Sequence, residues 1–280
     1  MTTRFSRSLV ATFLALIGVT GAHAATSWSF TDGGNQSGSG AFGNTRTYVG
    51  DLGGNLTLSA WSDTKNSTTG TQNAYIESAY LGTYSGGLGV TNRDAGTAGD
   101  TNEGTIQNST SPGHTMDNNV RFDSMLFDFG AGASVALKTV TVGWWKTDSD
   151  MTVLAYTGTG KPTFLSANVG YSTLLTSGWS VVKASNSAHY TNAANGGVAQ
   201  STNAAGYKPL AVNDLNISSR YWLVGALNTL VQALPNVDTT KDFIKIAGVT
   251  GEYGRVPEPT SAVLAGGGLL GLLALRRRRS

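Results

Sequence analysis

The sequence predicts an all-β protein, with an antiparallel β-sandwich or jelly-roll-like body. Glycine is abundant at 37 residues, whereas glutamate occurs four times and lysine eight times, so residues that favour surface helices are scarce. Short segments of strand character recur along the chain, each bounded by Gly, Asn, Asp or Ser. Because no amphipathic helical pattern lies between them, two packed antiparallel sheets are favoured over an α/β fold.

Seven segments carry the strand signal. Asn55–Trp61 alternates, with Leu56, Leu58 and Ala60 on one face. Asp150–Gly158 is apolar on both faces, which is typical of a strand buried between two layers. The other five are Ala74–Tyr84, Ser124–Gly130, Lys138–Trp145, Ser219–Leu227 and Asp242–Tyr253.

The segment around Lys138 predicts a bulge and an exposed ring. Val135 and Leu137 are out of phase with Val140, so we expect a β-bulge near Lys138. Further along, Val140, Val142 and Trp144 share one face. The neighbouring Trp145 is therefore expected nearer to solvent, where its ring is a candidate for binding a sugar.

The first residues predict a cleaved secretory signal peptide over residues 1–24. Arg4 and Arg7 precede an apolar stretch of eleven residues, which is too short for a transmembrane helix of about 20 residues. Ala22 and Ala24 form a small-x-small site in front of Ala25. Export through the Sec translocon is expected, and the body spans residues 25–255.

The final segment, residues 256–280, differs from the rest of the chain. It contains an uncharged run, Thr260–Leu275, which is expected to form a helical membrane anchor. Over Ser261–Leu275 this helix would be about 22 Å long, somewhat short of a bilayer core of about 30 Å, and its basic end is expected to stay on the cytoplasmic side. Its other parts are a Val-Pro-Glu-Pro box and a basic terminus: Val256, Pro257, Glu258, Pro259, Arg276, Arg277, Arg278 and Arg279.

This ending resembles the PEP-CTERM sorting signal of Gram-negative bacteria, which combines a Pro-Glu-Pro box, a short apolar helix and a basic terminus. The resemblance implies recognition and processing by a membrane-embedded exosortase. The protein would then be anchored transiently in the inner membrane and released to the cell surface or extracellular matrix.

The body resembles a group of exosortase-dependent surface proteins. Three segments carry the resemblance: Gly87–Arg93, Ser111–Asn118 and Val142–Gly158. The resemblance implies no catalytic residues. Within its Ser-Pro-x-His-x-x-Asp-Asn box, Ser111, His114, Asp117 and Asn118 are a candidate recognition or ion site.

Charge and cysteine content exclude several classes. Six of the 19 basic residues are Arg4, Arg7 and Arg276–Arg279, so 13 remain against the chain's 17 acidic residues. The exported body is therefore mildly acidic, and no basic stripe interleaved with aromatics suggests a nucleic-acid partner. Without cysteine, disulfides and thiolate metal sites are impossible.

Oxygen donors at the predicted strand ends make calcium the one candidate cofactor. Asp148 and Asp150 flank a serine, and Asp117, Asn118 and Asp123 precede them. Ca²⁺ takes about 6 to 8 such oxygen ligands, but the spacing does not match an EF-hand loop. The alternative is that these side chains only shape turns.

Motifs of catalysis are missing from the sequence. It contains no G-x-S-x-G, H-E-x-x-H or P-loop pattern, and only His114 and His189 remain after signal removal. We therefore do not expect an enzyme. The resemblance to exosortase-dependent surface proteins implies a surface or matrix protein associated with exopolysaccharide in a biofilm. A lectin-like carbohydrate-binding module and a secreted glycan hydrolase with paired carboxylates are the alternatives.

Overall fold

A computed structural model of the protein describes residues 25–38, 42–65, 75–94, 114–191, 206–233 and 240–254. The predicted signal peptide, the sorting segment 256–280 and Ser111 lie outside these residues. The described part is all-β, and every paired set of its named strands is antiparallel. Within it, no helix has the length and apolar character needed to span a membrane.

Sixteen strands and two short 3₁₀-helices make up this part of the chain. The helices are Thr163–Leu165 and Tyr171–Thr176. The strands are β1 (Thr26–Ser29), β2 (Asn35–Ser37), β3 (Thr45–Val49), β4 (Asn55–Lys65), β5 (Tyr75–Ser78), β6 (Tyr80–Tyr84), β7 (Gly87–Thr91), β8 (Met116–Asp117), β9 (Asp123–Asp128), β10 (Val135–Thr147), β11 (Met151–Tyr156), β12 (Trp179–Val181), β13 (His189–Tyr190), β14 (Lys208–Ala211), β15 (Tyr221–Ala226) and β16 (Asp242–Tyr253).

The strands form two sheets. The seven-stranded sheet has the order β14-β10-β16-β7-β6, and β1 and β8 also pair with β16. The nine-stranded sheet has the order β12-β11-β15-β9-β4-β3-β2, with β13 on β11 and β5 on β4. The chain passes from the first sheet to the second between β10 and β11, and this crossing carries two of the predicted site residues.

One hydrophobic core joins the two sheets. In β4, Leu56, Leu58 and Ala60 are fully buried in this core, as their alternation predicts. The seven-stranded sheet contributes Trp28, Leu88, Val140, Val142 and Ile246, and the nine-stranded sheet contributes Met125, Val153, Trp222 and Val224. Antiparallel sheets are thereby confirmed, whereas the jelly-roll connectivity stays a prediction.

The nine-stranded sheet is also covered on its other face. Leu154 and Tyr156 of β11 pack there in a second cluster, with Phe164, Tyr171 and Leu174 of the two 3₁₀-helices. Since Met151, Val153 and Ala155 face the first core, β11 is buried on both sides. This explains the unbroken apolar pattern of its sequence.

One strand prediction needs correction, and one prediction of a bulge is confirmed. Ala74–Tyr84 is not one strand: β5 pairs with β4 in the nine-stranded sheet, and β6 pairs with β7 in the other. The break falls at the buried Ala79. The expected bulge near Lys138 is confirmed, because the register between β10 and β16 shifts between Leu137 and Thr139.

The prediction that Trp145 is the exposed ring is wrong. Trp145 is only 4% exposed and lies in the core with Val140 and Val142, whereas Trp144 takes the opposite face. The register against β16 shifts again between Val142 and Trp144, so the residue between them, Gly143, reverses the alternation. As a ligand-binding ring, Trp145 is not accessible.

A candidate cation site

Three segments of chain converge where β10 ends and β16 begins. Thr147, the last residue of β10, has a φ of 61° and lies opposite Asp242, the first residue of β16. Asp148 follows and forms an isolated bridge with Asp242. Strand β8 pairs with the same end of β16 through Asp117 and Phe243. The turn between the sheets and the end of β8 therefore meet at Asp242.

Three buried carboxylates lie together at this point. Asp148, Asp150 and Asp242 each offer a carboxylate oxygen, and these oxygens lie within 4.8 Å of one another. The three residues are between 1% and 4% exposed. Sequence analysis identified Asp148 and Asp150, and the structure adds Asp242 to them.

Backbone and amide groups hold Asp242 in place. Its Oδ1 accepts a hydrogen bond from the amide of Asp150 at 2.7 Å, and its Oδ2 accepts one from Nδ2 of Asn118 at 2.6 Å. The amide of Asp242 donates in turn to Oδ1 of Asn118 at 2.9 Å. Asn118 also donates to the carbonyl of Leu227, the residue that follows β15, at 2.9 Å, so this second bond fixes its orientation as well.

The electrostatics of this cluster favour either a retained proton or a cation. Burial, followed by the charges of Asp148 and Asp150, raises the pKa of Asp242 to about 8. A divalent cation would remove the mutual repulsion of the three carboxylates, and Ca²⁺ in particular takes carboxylate and carbonyl oxygens in irregular geometry. The donor set consists only of hard oxygen ligands, which fits Ca²⁺ better than a transition metal.

Asp117 is placed beside this cluster without joining it. Its Oδ1 accepts the amide of Asn119 at 3.0 Å, and its Oδ2 accepts the hydroxyl of Thr115 at 3.2 Å. These local bonds shape the turn that presents Asn118 to Asp242. Asp117 therefore acts as a turn residue among the described contacts.

His114 lies in a different environment. Its ring stacks on Tyr84 with centroids 4.6 Å apart, and its Nδ1 shares a hydrogen bond of 2.8 Å with the Thr91 hydroxyl. Lys245 places its ammonium over the rings of Tyr84 and Trp144, at 5.2 Å and 4.8 Å. Ile244 and Ile246 face the core, so Lys245 between them faces the other side of the strand. The His114 ring and its neighbours therefore lie on the outer face of the seven-stranded sheet.

Burial depresses the pKa of both basic groups on this face. The pKa of His114 falls to about 4, first through burial and then through the charge of Lys245. The pKa of Lys245 falls to about 8 through burial. The predicted Ser-Pro-x-His-x-x-Asp-Asn box thus divides: His114 packs with aromatic rings, whereas Asn118 holds the carboxylate cluster.

Asp242 could not be assigned to the site from the sequence. It stands 92 residues after Asp150 and is the first residue of a strand whose sequence pattern gives no sign of a binding site. The one available signal is that a carboxylate begins a strand of mainly apolar character, where it would be buried. Only the pairing of β10 with β16 brings it to Asp148.

Comparison with known protein families finds a match at the C-terminal end of the chain. Residues 255–279 match the family model of the PEP-CTERM protein-sorting motif. The match confirms the sorting signal predicted from the sequence, and it supports exosortase-dependent sorting to the cell surface. Comparisons with curated proteins and with solved structures give no match.

Proposed function

We propose that this protein is an exported surface protein that an exosortase processes at its PEP-CTERM segment, and that its body then associates with exopolysaccharide in the extracellular matrix or biofilm. The observation that carries the proposal is the sorting motif at residues 255–279. Together with the predicted signal peptide, this motif gives an orientation: the body is translocated, and the arginine terminus remains inside. In this proposal, the uncharged segment 260–275 serves as a transient membrane anchor.

The properties of the body support an extracellular role. It has no cysteine, so the β-sandwich that we propose for its two sheets keeps its stability from packing in any redox environment. It also carries few basic residues outside the two ends, which favours a glycan over a nucleic-acid partner. The proposed location and the resemblance of the body to exosortase-dependent surface proteins are the grounds for proposing an association with exopolysaccharide.

Two epitopes test the processing. One is placed before Val256 and the other after Arg279, and both are followed in cells with and without the exosortase. We expect the first epitope at the surface and separated from the second only when the exosortase is present. If the two stay together in the inner membrane in both strains, the segment is a plain anchor and the proposal is wrong.

Matched variants separate the motif from its surroundings. Glu258→Ala removes the acid of the Pro-Glu-Pro box and should leave the chain unprocessed. Glu252→Ala is the control: this glutamate also lies near the end of the body and forms only a partly exposed ion pair of 3.2 Å with Lys138. Such a pair contributes less than about 1 kcal/mol, so the control should be processed normally.

Binding of a structural divalent cation, Ca²⁺ above all, is a second candidate function. It is favoured by the convergence of Asp148, Asp150 and Asp242 with Asn118. An ion there would join the turn between the sheets to the start of β16. Residues Asp148 and Asp150 would be ligands, and the effect would be on stability.

A glycan hydrolase would use the same carboxylates differently. It would need one protonated and one ionised group beside a sugar, and loss of turnover in Asp148→Asn or Asp150→Asn would support it. The burial of all three carboxylates favours the structural role, because a substrate bond must reach the acid. We therefore propose a body without enzymatic activity.

A further inference from the structure

Trp61 is the one tryptophan of the six that the structure leaves partly exposed. The other five, Trp28, Trp144, Trp145, Trp179 and Trp222, are buried. Trp61 follows the inward-facing Ala60 on β4 and points to the outer face of the nine-stranded sheet. A large apolar ring in this position is either incompletely covered core or a contact surface.

The surroundings of Trp61 form a defined cleft of about 370 Å³. That volume lies within the range of about 300 to 1,000 Å³ that is usual for small-molecule sites. Strand β5 forms one side, and the segment after the first 3₁₀-helix, residues 166–168, forms the other. The amide of Ile76 donates to the carbonyl of Val169 at 2.9 Å, which fixes the two sides to each other.

One wall of the cleft is aromatic and held rigidly. The indole N–H of Trp61 donates to the hydroxyl of Ser59 at 2.8 Å, so the ring has a fixed orientation and presents apolar surface. Phe164 packs edge-on against it, with centroids 5.0 Å apart, and is itself stacked on the buried Trp179. A platform fixed in this way loses little conformational entropy when a ligand binds.

The β5 side of the cleft is polar and equally ordered. Arg93 donates from Nε and Nη2 to the carbonyl and hydroxyl of Ser78, each at 2.9 Å, and forms an ion pair of 3.3 Å with Glu77. Glu77 also accepts the hydroxyl of Thr64 at 2.6 Å. The Arg93 side chain nevertheless remains 41% exposed. A fixed donor therefore stands beside a fixed acceptor at the rim of the cleft.

We propose that this cleft binds a pyranose unit of a polysaccharide, with Trp61 covering the apolar face of the ring and Arg93 and Glu77 hydrogen-bonding neighbouring hydroxyl groups. An aromatic surface beside paired polar groups suits a sugar, which has both an apolar ring face and hydroxyl groups, better than it suits a purely apolar ligand. The inference rests on the proposed association with exopolysaccharide and assigns a site to it. It also moves the sugar-binding ring from Trp145 to Trp61.

Intrinsic fluorescence of the full-length protein provides the test. Oligosaccharides released from the exopolysaccharide of the producing bacterium, fractionated by size, are the probe. Because the other tryptophans are buried, a ligand in the cleft should change the emission of Trp61 in a saturable way. Trp61→Phe should lose this signal, since phenylalanine does not emit in the tryptophan range.

Affinity is then measured by calorimetry in matched variants. We expect Trp61→Ala and Arg93→Gln each to weaken binding about tenfold or more, as is usual for losing a stacking ring or a charged hydrogen bond. Arg220→Gln is the control, because Arg220 forms a comparable partly exposed pair with Asp128 outside the cleft. Circular dichroism and thermal melting establish whether each variant is folded. If Trp61→Ala does not fold, the comparison of affinities rests on Arg93→Gln.

The outcomes separate this inference from the proposed function. The proposal that the cleft binds a sugar is wrong if no fraction gives a saturable change in fluorescence. It is also wrong if wild type, Trp61→Ala and Arg93→Gln bind with equal affinity. If the wild type and Trp61→Ala both sediment with intact exopolysaccharide to the same extent, the association stands and the cleft does not. If the wild type does not sediment with it, the association itself is wrong.

Discussion

Calcium should stabilise this protein more strongly as the pH rises, because a cation at the carboxylate cluster must displace the proton that Asp242 retains. The pKa of Asp242 is raised from 3.8 to about 8 in the folded protein. Without a cation, the proton on Asp242 therefore contributes to the free energy of unfolding. This contribution is complete below pH 3.8 and is lost as the pH rises to about 8. With calcium bound, all three carboxylates are ionised and this loss disappears.

The size of the effect follows from the proton that is released. Below the pKa of Asp242, each pH unit weakens cation binding about tenfold, which is about 1.4 kcal/mol. From about pH 5 to about pH 8, the stabilisation by excess calcium should thus grow by about 4 kcal/mol. For a domain of this size, 1 kcal/mol corresponds to about 2 to 4 °C, so the gain in melting temperature should grow by about 8 to 16 °C.

The assay is thermal unfolding followed by circular dichroism, in millimolar calcium and in excess chelator, at both pH values. Comparing the two conditions at one pH cancels the titration of other groups. Asp150→Asn should lose most of the calcium effect, whereas Asp214→Asn, an exposed carboxylate on a loop, should keep it. Equal melting temperatures with calcium and chelator at the higher pH refute the cation site, and a calcium effect that does not depend on pH refutes the role of Asp242.

Three further predictions concern stability. Arg121→Met should cost about 3 to 5 kcal/mol in urea unfolding, because Arg121 is fully buried and its charge also stabilises the ionised form of the buried Asp63. The control Arg220→Met removes a partly exposed ion pair with Asp128 and should cost clearly less, so an equal loss in the two variants contradicts this reasoning. The pKa of His114 is lowered to about 4, so its contribution to the free energy of unfolding is present above pH 6.5 and is lost as the pH falls towards 4. Over that pH range, His114→Asn should lose less stability than wild type. An equal loss in the two proteins contradicts the lowered pKa. Gly89→Ala should destabilise by about 2 kcal/mol or more in the same urea assay, since the added Cβ would collide with the carbonyl of His114, and an unchanged midpoint contradicts that close approach.

The sequence predicted those strands whose pattern runs unbroken over several residues, whether it alternates or is apolar on both faces. Strand β16 begins and ends at the predicted residues, Asp242 and Tyr253, and β11 falls inside its predicted segment. Short strands such as β2 and β13, of three and two residues, are too brief to show a period, so they were not predicted. The orientation of Trp145 was wrong because a single bulge residue reverses every later side chain.

The candidate site was predicted in part for a related reason. Asp148 and Asp150 are neighbours in sequence, so their proximity needs no knowledge of the fold. Asp242 reaches them only through long-range strand pairing, which one sequence does not encode in any local pattern. The cleft at Trp61 also depends on contacts between residues that are distant in sequence. Arg93, for example, reaches β5 through a hydrogen bond to Ser78, fifteen residues earlier.

The central position of β16 bears on how the body responds to mechanical force. This strand ends at Tyr253, and the sorting motif begins at residue 255. It pairs with β10 through eleven residue pairs and has β1, β7 and β8 on its other edge. In the proposed state with the tail anchored in the membrane, a pull along the chain would load these ladders in shear, so that many hydrogen bonds must break together rather than one after another. The body should therefore resist unfolding when force is applied at Tyr253, the end of its last strand.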